Sequence, residues 1–175
     1  MSITTEQKAA KTKSNSASDT GNTYERDFYA WTQQQAALLR EGRFSDLDIK
    51  NLIEEIESLG RSEKRELESR LKVLLMHFLK WQFQADQRER HGRRWLATIR
   101  NQRTELRKLI RDKPSLKGHL ETAFIEAYQD ARYEAEAETG LPISAFPESL
   151  PYTIEQILDP LWMPDEGLGQ SIGSE

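Results

Sequence analysis

From Tyr24 onward, large apolar residues recur at three- and four-residue intervals, and nowhere do they alternate over a useful length as a strand requires. Tyr24, Phe28, Trp31, Leu38 and Leu39 share one helical face that ends near Gly42. Ser45 with Asp48 makes a capping signal, and a second, amphipathic helix follows in which Ile49, Leu52, Ile53 and Ile56 form a narrow stripe. That stripe stops at Leu59-Gly60, which predicts Gly60 as a left-handed helix terminator. Ser62 then caps a third helix running to about Arg90, roughly 28 residues or about 42 Å long. Between Leu71 and Phe83 apolar residues point to every side, so this helix is expected at the centre with Trp81 in the core. His91-Gly92-Arg93-Arg94 interrupts the rhythm, and Trp95, Leu96, Ile99, Leu106, Leu109 and Ile110 resume it up to Asp112. Lys113-Pro114-Ser115 reads as a stop and a fresh cap, after which Leu116 to Ala135 form a fifth helix closed by Gly140 and Pro142.

Four prolines, Pro147, Pro151, Pro160 and Pro164, punctuate the remainder, where Thr153 and Gln156 make a capping box for a short helix at Ile154 to Leu158. Phe146, Tyr152, Leu161 and Trp162 are expected to pack this extension on the rest. The fold class read from this pattern is all-α, a single-domain bundle of about five helices over residues 23–165 with a proline-rich C-terminal extension. Residues 1–22 carry only Met1 and Ile3 as large apolar groups and are read as a disordered tail, and residues 166–175 as a flexible one.

The chain has 175 residues, a size suited to one core, and 25 basic against 29 acidic residues give a formal charge of −4. A wholly basic, histone-like protein is thereby excluded. Cysteine is absent, which removes disulfides, thiolate zinc sites and cysteine nucleophiles together. No apolar run approaches a membrane span and the N-terminus has no signal-peptide core, so a soluble cytoplasmic protein without membrane contact is expected.

Six ordered blocks carry a resemblance: Glu54 to Gly60 (EEIESLG), Leu74 to Gln84 (LLMHFLKWQFQ), the W-x-x-x-I-x-x-x-R spacing from Trp95 to Arg103, Ala127 to Arg132 (AYQDAR), Glu138 to Pro142 (ETGLP) and Phe146 to Leu158 (FPESLPYTIEQIL). Together they resemble the bacterial family of domain of unknown function number 29, over roughly Thr23 to Asp165. The resemblance implies a helical fold and brings no catalytic residues with it.

Candidate chemistry is sparse. Glu54 and Glu57 match half of the carboxylate signature of all-helical nucleotide pyrophosphohydrolases, but the second half is missing and no Glu-x-x-His pair exists. A metal-dependent hydrolase using Glu54, Glu55, Glu57 and His77 is therefore the least favoured reading. Arg70, His77 and Lys80 lie along one side of the long helix, and the carboxylates Glu55 and Glu57 are their expected partners in a structural polar network. From Arg88 to Lys117 eleven basic residues face three acidic ones. An antiparallel pairing of the fourth and fifth helices places Arg94 beside Glu134 and Arg100 beside Tyr128 and Asp130, neutralising that end. Arg107, Lys108, Arg111 and Lys113 are left at the turn as the partner-binding set. No phosphate loop, nucleophile elbow or zinc spacing is present, and no catalytic residue, metal or cofactor is assigned. The reading is a non-enzymatic module that binds a protein partner; the alternative is nucleic-acid binding through the arginine-rich helix.

Overall fold

Asp27 divides the first expected helix in two. Its backbone leaves the helical region (φ −145°) and its side chain accepts a 2.9 Å hydrogen bond from the Ala30 amide, ending α1 (Thr20–Arg26) and capping α2 (Phe28–Arg40). The computed structural model describes residues 20–164, which contain six α-helices and no strand, as the apolar rhythm requires. They fall into two compact units that divide between Leu59 and Gly60. Of the expected tails, residues 1–19 and 166–175 lie outside the described residues, whereas residues 20–22 belong to α1.

In the first unit α2 ends at Gly42, whose φ of +70° lets the Arg43 amide reach the Leu38 carbonyl. Trp31 is buried between Tyr24 and Phe28, with ring centroids 4.9 and 5.6 Å away, and its Nε1 donates to Asp48 at 3.2 Å. Asp48 also accepts from the Asn51 amide at the start of α3, while its own amide donates to the buried Gln35 side chain at 2.9 Å. One carboxylate thus joins α2 to the start of α3.

The turn expected at Gly60 is absent, because α3 is one 35-residue helix, Ile49–Phe83. Among the described residues only Gly42 and Gly140 have positive φ. A lone helical glycine costs only about 1 kcal/mol relative to alanine, and the Glu, Lys, Arg and Leu residues after Gly60 are strong helix formers with no proline among them. The interruption expected at His91 to Arg94 falls earlier, at a 3-10 turn over Ala85–Gln87, and α4 (Arg88–Asp112) passes straight through a buried Gly92. Gly92 packs beside the Trp81 ring, and a Cβ there would stand 3.5 Å from it, an ordinary contact distance. Trp81 is half-buried rather than central, with the Arg88 guanidinium 5.1 Å from its ring and Arg88 Nε donating to its carbonyl at 2.7 Å. Trp95 takes the buried position instead.

A 3-10 turn, Pro114–His119, leads into α5 (Leu120–Thr139), which ends on Gly140 at φ +73°. The second unit's core sets Leu67, Leu71, Leu74, Phe78 and Leu79 of α3 with Ile99 and Leu106 of α4 and a column of alanines, Ala123, Ala127, Ala131 and Ala135, on α5. Four-residue spacing puts those alanines on one face, and their small size lets α5 approach closely. Beyond α5, Phe146, Tyr152 and Ile157 are buried in the same core. Tyr128 Oη donates to the Pro147 carbonyl at 2.7 Å, Tyr152 Oη donates to Gln82 at 2.8 Å, and Tyr152 and Trp162 stand edge-on to Phe78. Burial pushes the Tyr128 hydroxyl up to about 12 and that of Tyr152 higher still, so both donate as neutral phenols. The capping box of Thr153 and Gln156 is formed and starts α6 (Ile154–Leu158).

Candidate functional site

The residues expected to form one polar network take separate partners. Glu55 accepts from the Tyr24 hydroxyl at 2.5 Å, a bond that pushes that phenol up to about 12, while Glu57 is exposed on α3. Arg70 holds Glu66 at 2.9 Å and reaches Glu105 of α4 at 3.6 Å. His77 and Lys80 do come together, in a cleft of about 560 Å³ that α3, α4 and α5 line with His91, Arg94, Trp95 and Glu138. Lys80 pairs with Glu138 and lies 5.4 Å from the Trp95 ring. The His77 Nδ1 lies 2.8 Å from the Val73 carbonyl. Burial is the chief cause that lowers the His77 pKa, and Lys80 adds to it against the opposing pull of the Val73 carbonyl and Glu138. Nδ1–H donating to Val73 leaves Nε2 as an acceptor toward the cleft. Among the described residues no three His, Cys, Asp or Glu side chains are grouped to hold a metal, Glu54, Glu57 and His77 included.

The arginine-rich segment also divides. Glu134 pairs with Lys72 and Glu138 with Lys80, so the acids of α5 answer α3 and not α4, against the register expected from the hairpin. Lys72 and Lys80 of α3 take the α5 carboxylates that the hairpin register assigned to α4. Arg94 lines the cleft and Arg100 is exposed. Arg103, one of the eleven basic residues of that segment, is 3% exposed. Its Nε donates to the Ile157 carbonyl at 2.8 Å, Nη2 to Trp162 at 2.5 Å and Nη1 to Pro160 at 3.5 Å, and its guanidinium lies 5.0 Å from the Phe78 ring. Desolvation lowers its pKa and Asp159 pulls the other way; the group stays charged. At the turn end, Lys113 holds Glu63 at 3.0 Å and Arg111 holds its neighbour Asp112 at 2.9 Å. Arg107 and Lys108 are exposed, with no hydrogen-bond or ion-pair partner among the described residues.

A third surface was legible only as an apolar stripe. Ile49, Ile53, Ile56 and Leu59 are 52, 53, 66 and 70% exposed in the first unit. Asp48, just before α3, bonds Trp31 of α2, and Glu55, two turns on, bonds Tyr24 of α1; at 100° per residue the three isoleucines lie on a different side. Spacings of four and three make them an aliphatic row along the helix, broad enough for another helix to lie on. No helix of the described residues is long and apolar enough to cross a membrane.

No curated protein and no solved structure matches the chain. The family model described as Domain of unknown function DUF29 matches residues 23–163, running across both units and through all six blocks read from the sequence. The cleft, the Arg103 anchor and the aliphatic row all fall inside that span, and the chain belongs to the DUF29 family.

Proposed function

We propose that the protein is a non-enzymatic protein-interaction module whose binding face is the aliphatic row of α3. The observation that carries this reading is the exposure of Ile49, Ile53, Ile56 and Leu59 on one helix. Scattered exposed aliphatics are ordinary on a protein surface, but a contiguous row at helical spacing marks an interaction site. A helix laid along it, apolar on one face, is the occupant such a row fits. The exposed Arg107 and Lys108 favour a second reading, an acidic partner or nucleic acid at the end of α4. That surface is narrower than the sequence suggested, since Arg111 and Lys113 already have partners within the chain.

The test is affinity capture from the protein's own cells, with nuclease treatment, comparing wild type with Ile53→Glu/Ile56→Glu and with Arg107→Glu/Lys108→Glu. The module reading expects a protein that is retained by the second variant and lost from the first. Loss from the second alone, or only in nuclease-treated lysate, would transfer the function to the basic surface.

A further inference from the structure

We infer that the occupant of the α3 row is a second copy of this chain, packed antiparallel; this rests on the interaction-module reading and names its partner. The row runs as a seven-residue repeat in which Ile49, Ile53 and Ile56 take the seam positions, with Leu52 and Leu59 along one flank. Along the other flank stand Lys50 and Glu57, both exposed and seven residues apart. When two such helices lie antiparallel about a twofold axis near Ile53, Lys50 of each copy comes beside Glu57 of the other. The apolar flanks then also face each other. A parallel pair would set like flank against unlike and lose both charge pairs, so the antiparallel arrangement is the one for which this face complements itself.

Residues 1–19 and 165–175 are poor competitors for the row. Outside the described residues the only large aliphatic side chains are Met1, Ile3, Leu168 and Ile172, too few and too scattered to cover four positions at helical spacing. The face also sets the strength of the dimer. Four half-exposed aliphatic side chains per copy, each losing on the order of 100 Å², give roughly 1,000 Å² in total with their flanks, at the low end of specific interfaces. A reversible dimer in the micromolar range is the consequence.

Sedimentation velocity on the full chain, across roughly 1 to 200 µM, reads this directly. The expected result is a shift from the monomer mass to twice that mass with rising concentration. Ile53→Glu should abolish the shift while leaving the far-ultraviolet circular dichroism intact, and Ile56→Ser supplies the same test should the glutamate disturb folding. Lys50→Glu or Glu57→Lys alone should weaken the dimer by roughly tenfold, since each creates two like-charge contacts, and the double exchange should restore it. A chain that stays monomeric throughout overturns the second copy as occupant while leaving the module reading to the capture experiment. A dimer indifferent to Ile53→Glu and Ile56→Ser overturns the face. Loss on the single exchanges without recovery in the double one overturns the antiparallel register, and with it the self-complementarity on which the partner was chosen.

Discussion

Truncating Arg103 to alanine should remove a larger share of stability than any exposed arginine of α4. The side chain is almost wholly buried and spans three carbonyls of the segment that includes α6, two of them at 2.8 and 2.5 Å. A charge-assisted hydrogen bond contributes about 1.5–3 kcal/mol, and truncation also abandons the stacking on Phe78. The third contact, at 3.5 Å, adds little. These losses are not additive, and a total of about 3–5 kcal/mol is expected for Arg103→Ala. That is a large part of the roughly 5–15 kcal/mol of an ordinary domain. Arg103→Lys keeps the charge but cannot fork across Ile157 and Trp162, so it should lose about half as much and serves as the measurable variant if alanine prevents folding. Arg100→Ala, one turn away on the exposed side, should change stability by under about 0.5 kcal/mol. Urea unfolding followed by tryptophan fluorescence compares the three. Equal midpoints for the Arg103 and Arg100 variants would refute the anchor.

Other substitutions separate the remaining claims. Gly140→Ala forces a Cβ into a left-handed residue and should cost about 1 kcal/mol, whereas Gly60→Ala, in an exposed helical turn with nothing within 4 Å, should stabilise by about 0.5–1 kcal/mol; thermal melts of the two should move in opposite directions. Tyr152→Phe leaves the buried Gln82 oxygen without that donor and should cost about 1–3 kcal/mol in the same urea assay. His77 has a folded-state pKa below its ordinary 6.5, so the unfolded chain binds the proton more readily, and stability should fall as pH drops through 6.5 toward the lower folded value. Urea midpoints at acid and neutral pH should converge in His77→Gln relative to wild type; an unchanged pH dependence would dismiss the group as a contributor.

Periodicity carried the helical reading because an amphipathic helix must repeat its apolar face wherever it packs, and the capping box at Thr153 needs only residues three apart. Glycines were harder. Gly140 is followed by Pro142 and ends its helix, while Gly60 and Gly92 sit among strong helix formers, where one weak residue does not decide the outcome. What distinguishes Gly92 is the ring of Trp81 eleven residues earlier, a contact with no local signature. Arg103 is alike in this: along the helix it is one arginine in a basic segment, and only carbonyls more than fifty residues away turn it into a buried anchor. The isoleucines of α3 were legible as apolar but not as exposed, since a pattern states which face wants cover and not whether the chain supplies it. His77 and Lys80 were placed together by their spacing, yet Glu138, the acid that meets Lys80, comes from the far side of a helix hairpin.

The corner between α3 and α4 has a consequence for the order in which the second unit assembles. Arg88 closes on Trp81 across seven residues, whereas Arg103 closes on Ile157 across 54. Loop entropy alone makes the longer closure costlier by about 2 kcal/mol. The helical corner can therefore form while the distal segment is still searching, and the reverse order is penalised. On the way out the sequence runs backward: residues 157–162 lift from the Arg103 guanidinium before the α3–α4 hairpin opens, which makes that segment an early site of proteolytic attack among the described residues.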